Sequence, residues 1–400
     1  MDLELAKQLA KPNTTKIILC VLDGLGGLAR SETMRSELEQ ANCPNLDRLA
    51  TRSEVGLTVP VGPGITPGSG PGHLALFGYD PYRFDIGRGV LEAVGIDFDL
   101  GPNDVAARGN FCTLDMNRNI IDRRAGRVPT EVSAGLVERL RSIELPGVQL
   151  ILEPVREHRF VLVLRGEGLG DRVTTTDPQV TGVQPLRAQG ADEASQNAAA
   201  LVNEFVQRAE ELLKDEPQAN GLMLRGFAKY PSLPQFPAIW GLRAAALAVY
   251  PMYRGLAKLA GMDALACPGG LEQQLAVVKE RWNDYDYFFV HYKKTDAAGE
   301  DGDFERKTHA IEEFDGWLPH LLDLHADVVM VAGDHSTPSL MAAHSWHPVP
   351  FLLHSEYCRE GNASHFNEQE CLKGSLGVFP AMDIMPLAMA HAMRLEKYGA

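Results

Sequence analysis

Val328-Val329-Met330-Val331-Ala332-Gly333-Asp334-His335 reads as a buried strand that runs directly into an adjacent carboxylate and imidazole. Two metal-ligand types at a strand end suggest a metal site. The pattern recurs: the apolar run Ile17 to Leu22 ends in Asp23-Gly24, and Tyr287 to Val290 leads through His291-Tyr292-Lys293-Lys294-Thr295 to Asp296. In an open parallel sheet, ligands gather at the carboxyl ends of strands, so carboxylates far apart in sequence converge there. Three such ends predict an α/β core with one site along its edge.

Composition bounds the remainder. Four hundred residues with 45% hydrophobic content can bury one large core or two domains of ordinary size. No stretch approaches the roughly 20 apolar residues of a membrane helix. Met1 to Lys11 is a short mixed helix without the apolar segment of a secretory signal, so the expected location is cytoplasmic. The six cysteines are scattered with no CxxC pair and read as buried or idle thiols. A net charge of -15 argues against a nucleic-acid partner, which requires a basic face. An anionic small substrate stays possible, given a local cluster of arginines. No pattern assigns an oligomeric state.

Residues 1–101 and 239–400 carry the α/β texture and are expected to form one discontinuous core. Between them, residues 102–238 change character. Strand-like Val105 to Leu114, helix-like Thr130 to Ile143, the β-rich runs Val148 to Leu152 and Phe160 to Leu164, helix-like Ala191 to Leu213 and strand-like Gly221 to Leu224 give a β-α-β-β-α-β order. That order is the signature of a ferredoxin-like α+β domain, here inserted into the core.

Gly24-Leu25-Gly26-Gly27-Leu28-Ala29 formally fits a dinucleotide-binding G-x-G-x-x-A. Asp23 would repel a pyrophosphate there, and no acidic strand end follows about 20 residues on. No nucleotide is expected; Asp23 reads as a metal ligand, with a loop-capping role as the alternative. The Gly/Pro-rich loop 61–72 presents Thr66 and Ser69 just before a helix-like segment beginning at His73. A hydroxyl among the unpaired amides of a helix N-terminus suits a phosphate or a developing alkoxide, which makes Ser69 a candidate nucleophile or a simple N-cap. It is not a nucleophile elbow, since Pro67 and Pro71 replace the glycines. Asp296 and Glu300 stand four apart, on one face if the turn is helical. Asp334 and His335 are followed by His344 and His347, either of which can add a ligand. Imidazole among several carboxylates fits manganese, magnesium, zinc or cobalt, and the oxygen-rich balance points to the first two.

Asp23-Gly24, Pro44-Asn45-Leu46-Asp47, Pro67-Gly68-Ser69 with Gly72-His73, Gly87-Arg88-Gly89, Lys294-Thr295-Asp296 and Gly333-Asp334-His335-Ser336-Thr337-Pro338 together resemble the cofactor-independent phosphoglycerate mutases of archaeal type, in the alkaline phosphatase superfamily. The resemblance runs almost from end to end. It implies a mostly parallel core with a substrate-binding cap, two divalent metal ions and no bisphosphoglycerate. It makes Ser69 the phosphoryl acceptor and assigns Asp23, Ser69, Asp334 and His335 to one metal. Asp296, Glu300 and His344 fall to the other. One departure is visible: the family commonly reads G-H-D where this chain has Gly299-Glu300-Asp301. The implied activity interconverts 3-phosphoglycerate and 2-phosphoglycerate through a phosphoserine, a step of glycolysis and gluconeogenesis.

Residue chemistry adds the grip on substrate. Arg108 and Arg225 are the leading anion-binding candidates, because a guanidinium matches a carboxylate or phosphate with two parallel hydrogen bonds. Asp122, Arg123 and Arg127 stand behind them, and His73 is a candidate proton carrier or supporting residue. Two other readings compete. A metal-dependent phosphohydrolase or phosphonate hydrolase would use the same ligands with water as acceptor, and a metal-stabilised binding protein would leave Ser69 without a purpose.

Overall fold

In the computed structural model, which describes residues 1–399 apart from positions 268, 360 and 362, the chain forms two compact units, each with its own sheet. The strands in chain order are β1 (Ile17–Leu22), β2 (Glu54–Val59), β3 (Val105–Leu114), β4 (Ile120–Asp122), β5 (Gln149–Pro154), β6 (Arg159–Arg165), β7 (Gly221–Ala228), β8 (Ala244–Leu247), β9 (Asp263–Ala264), β10 (Tyr287–Tyr292), β11 (Val328–Ala332), β12 (Val349–Ser355) and β13 (Gly377–Pro380).

The larger unit comprises residues 1–85, 233–249 and 260–400. Its eight-stranded sheet has the order β13-β2-β12-β11-β1-β10-β8-β9. Only β12 runs against the others. Every residue of β1, β10 and β11 is buried, as a strand covered on both faces requires, which is why these segments are apolar runs apart from His291 near the end of β10. Register then sets the site. Val21 pairs with His291 on one side and with Ala332 on the other, so Asp23, Lys293 and Asp334 leave the sheet level with one another.

The smaller unit comprises residues 86–232 and 250–259. Four antiparallel strands lie in the order β7-β3-β6-β5, with β4 on the end of β3. Helices Thr130–Leu140 and Glu193–Leu213 pack their apolar stripes, including Leu136, Val137, Val202 and Phe205, on one face through Phe111, Phe160 and Leu222. Period-two alternation sends Arg108 to the opposite face from Ala107 and Phe111.

The division differs from the reading at 102 and 238. Residues 86–101 and 250–259 belong with the smaller unit because helices Arg88–Gly95 and Pro251–Leu259 meet at backbone distance. A Cβ on Gly95 would lie 1.9 Å from the Pro251 carbonyl oxygen, and one on Gly255 2.0 Å from that of Leu91. Among the described residues no helix is long and apolar enough to cross a membrane.

Candidate metal and phosphoryl-transfer site

Asp23, Asp334 and His335 converge where β1 and β11 end, and all three are buried. His335 Nε2 lies 3.1 Å from Asp334 Oδ2 and 3.4 Å from Asp23 Oδ1. A second set, Asp296, His335 and His344, shares that imidazole. Asp296 sits in the first turn of helix Lys294–Glu300, directly after β10. His344 Nε2 is 3.5 Å from Asp296 Oδ1, and its ring stacks on His335 with centroids 3.6 Å apart. His344 Nδ1 donates to the Pro67 carbonyl at 2.9 Å, which leaves Nε2 as the nitrogen able to ligate. His347 instead stacks on Trp346 and contacts Ser345, outside both sets. Glu300 stands at the rim, its Oε1 3.8 Å from His344 Nε2, and belongs to neither compact set.

Ser69 opens helix Ser69–Leu76 after Gly68, and its Oγ is 3.3 Å from His335 Nε2. Gly72 lets this helix press onto the strand-end loop: a Cβ there would meet the Asp334 carbonyl oxygen at 2.2 Å. One turn on from Ser69, His73 is fully buried, with Nδ1 2.8 Å from the Ser69 carbonyl and 3.1 Å from Asp334 Oδ2. It lies behind the Asp334 carboxylate, whose Oδ2 also faces the Ser69 hydroxyl's partner His335.

Several side chains at this edge escaped the sequence reading. His291, inside β10, places Nε2 3.0 Å from Asp23 Oδ2, backing that carboxylate as His73 backs Asp334. Lys293 Nζ reaches Asp23 Oδ2 at 3.1 Å and Asp296 Oδ2 at 2.5 Å. The buried Lys307 ammonium donates to the carbonyls of Gly26 (3.0 Å) and Thr337 (2.9 Å), tying the loop after β1 to the loop after β11.

Three buried carboxylates in one place demand positive charge. Burial alone would depress His335, but the adjoining Asp334, with Asp296 and Asp23, outweighs it and raises the imidazole to about 9. Burial pushes the Asp334 carboxyl up, yet His335 and His73 against it hold it well below the usual carboxylate range. Asp23 Oδ1 and Asp334 Oδ2 are buried without a well-aligned hydrogen bond. Unsatisfied anionic oxygens around a shared imidazole fit a divalent cation, since carboxylate and imidazole together suit manganese, magnesium, zinc or cobalt.

In the smaller unit, Arg108 on β3 is directly opposite Arg225 on β7. Like charges facing across a sheet are unfavourable. Arg108 Nε donates to the Asn110 amide oxygen (3.2 Å), and its guanidinium is 3.6 Å from Glu92. Arg225 is 3.8 Å from Asp177, a carboxylate already held by both arms of Arg123 at 3.1 and 2.8 Å. Burial, then Arg88, pull Arg225 down to about 10. Burial and the surrounding Arg159, Arg108, Arg124 and Arg127 hold His158 near 3. Nε of Arg159 and of Arg225 is buried without a hydrogen bond. Such cationic surplus is the signature of an anion site. Arg88, Arg159, Glu92 and His158 join it unforeseen, and Gly87-Arg88-Gly89 was the one available signal. Asp122 serves the turn instead, accepting from the Arg124 and Gly126 amides at 2.7 and 2.6 Å. Arg127 follows in the left-handed region at φ 52°.

The profile of a family described as 2,3-bisphosphoglycerate-independent phosphoglycerate mutase matches residues 50–219. A probable 2,3-bisphosphoglycerate-independent phosphoglycerate mutase of Thermotoga neapolitana is 52% identical over 397 residues, 98% of each chain. One from Thermus thermophilus is 52% identical over 406 residues and covers 100% of both. Among solved structures, a Pyrococcus horikoshii protein matches with a TM-score of 0.82 at 31% identity, over 98% of this chain and 100% of its own. The cofactor-independent phosphoglycerate mutase of Thermoplasma acidophilum matches at 0.66 and 28% identity, over 94% and 100%. Identity of this extent, with no part of the chain left over, means that the chain belongs to the family of 2,3-bisphosphoglycerate-independent phosphoglycerate mutases.

Proposed function

We propose that this chain interconverts 3-phosphoglycerate and 2-phosphoglycerate by way of a phosphoserine at Ser69, as an archaeal-type member within the alkaline phosphatase superfamily, serving glycolysis and gluconeogenesis in the cytoplasm. One observation carries the reading: a buried serine hydroxyl, at the first turn of a helix, faces the imidazole common to both ligand sets. Asp23, Ser69, Asp334 and His335 would hold one divalent ion and Asp296 and His344 a second, with Glu300 entering from the rim; manganese is the favoured metal. Bound there, the ions supply a lower pKa for the serine hydroxyl and charge to offset the phosphoryl oxygens.

The residues do the rest. Amides of the first turn after Gly68 face the incoming phosphoryl group with their partial positive charge. His73 and His291 keep two ligand carboxylates from turning away. Arg108, Arg225, Arg88 and Arg159 in the substrate-binding unit grip the carboxylate or phosphate, and Glu92 orients Arg108. Holding the glycerate within reach while keeping water out is what separates a mutase from a hydrolase.

The deciding experiment gives purified protein 3-phosphoglycerate and manganese without bisphosphoglycerate. The expected product is 2-phosphoglycerate; free phosphate and glycerate in its place would assign a phosphohydrolase. A companion variant, Arg225→Met, separates grip from stability. It removes a half-buried cation from among cations, so the ligand-free melting temperature should rise by about 2–4 °C. Substrate affinity should fall and the product ratio shift towards free phosphate. A lower melting temperature with unchanged products would remove Arg225 from the anion site.

A further inference from the structure

Thr337 lies two residues beyond His335, and its hydroxyl touches both ligand sets. Oγ1 donates to Asp296 Oδ1 at 2.8 Å and lies 2.9 Å from His335 Nδ1. A hydroxyl carries one proton, and an ionised carboxylate can only accept. The proton therefore goes to Asp296, and the threonine oxygen accepts from His335 Nδ1–H. The remaining ring nitrogen, Nε2, is the one that faces Asp334 Oδ2 (3.1 Å), Ser69 Oγ (3.3 Å) and Asp23 Oδ1 (3.4 Å).

This hydroxyl is not a free rotor. The Thr337 amide donates to the Gly26 carbonyl at 3.0 Å, and its carbonyl accepts from Lys307 Nζ at 2.9 Å. Two glycines make room for it. A Cβ on Gly24 would sit 2.5 Å from Thr337 Oγ1, and one on Gly299 2.2 Å from the Thr337 carbonyl oxygen. Backbone from the loop after β1 and from the helix after β10 thus encloses a single side chain that belongs to the loop after β11.

We propose that Thr337 is a positioning residue that locks His335 in its Nδ1–H form and couples the two metal subsites, so that filling one set orients a ligand of the other. The inference rests on the metal reading above, and it concerns a hydroxyl that ligates nothing. Outer-sphere partners that fix a ligating imidazole typically contribute 10- to 100-fold in metal affinity.

The test is a titration of EDTA-stripped protein with Mn2+ alone, followed by calorimetry and electron paramagnetic resonance. Wild type should bind two ions in a coupled way. Thr337→Val, nearly the same shape without the hydroxyl, should bind at least one ion about 10- to 100-fold more weakly and lose the coupling, while Thr337→Ser should stay within about threefold. Equal binding by Thr337→Val, or a Thr337→Ser as weak as Thr337→Val, overturns the proposal and leaves the metal reading standing. A wild-type chain that binds no divalent ion overturns both. A second measurement needs no folded valine variant: 15N-histidine spectra of the Mg2+-loaded wild type, with the His335 signals identified by their absence in His335→Gln. A proton on Nδ1 is expected, and a proton on Nε2 with bare Nδ1 defeats the idea.

Discussion

Ser69→Ala should abolish turnover, by on the order of 10^4-fold or more, as loss of a nucleophile does when the rest of the site survives. The fold should not notice. Ser69 follows the N-cap Gly68 and begins a helix anchored by buried Leu74, Leu76 and the Gly72 contact, so removing Oγ costs little packing. Metal binding should also persist, since two carboxylates and His335 remain around the first position. Mass spectrometry of wild type quenched during turnover should find phosphate on Ser69. Phosphate on a histidine, or a Ser69→Ala variant retaining a tenth of the activity, would end the phosphoserine mechanism. His73 is a poor rival because its ring is walled in by Phe77, Phe289 and His291.

Asp334→Asn should cost more than any outer partner does, beyond about 100-fold in metal affinity, with activity falling in step. The substitution keeps the shape and removes the charge. Asp334 Oδ1 accepts from the Gly24 amide at 3.1 Å, a contact an asparagine oxygen can keep, whereas Oδ2 is the buried oxygen left for a cation. The clearest readout is thermal: a site that binds only the native state adds about 2.7 kcal/mol at a hundredfold excess over its dissociation constant. Manganese should therefore raise the melting temperature of the wild type and much less that of Asp334→Asn. Identical manganese shifts in both proteins would remove Asp334 from the ligand set.

The family and the strand-end chemistry were legible because both rest on local signals: continuous apolar runs, and polar residues where those runs stop. Asp23, Asp296, Asp334 and His335 could be read that way, and the structure brings them together with His344. His291 could not, since within Tyr287–Tyr292 it reads as one more residue of a strand, and only the register reveals that it backs Asp23. Lys293 resembles any solvated lysine beside Lys294. Arg88 and Arg159 likewise look like surface charges until a fold turns them towards Arg108. The boundary near residue 86 was hidden for a related reason: an amphipathic helix such as Arg88–Gly95 announces that it needs a neighbour but not which sheet supplies it.

The level exit of Asp23, Lys293 and Asp334 from adjacent parallel strands makes the sheet a ruler. Each residue advances a strand by about 3.3 Å, which exceeds the whole span of a metal–oxygen contact. One residue inserted in Ile17–Leu22 would carry Asp23 out of reach of both neighbours and turn every buried side chain of that strand to the other face. Changes of length that spare the chemistry are thereby confined to the segments that return the chain to the opposite edge of the sheet. Descendants of this sequence can lengthen there freely, while the three short apolar runs must keep their count of residues.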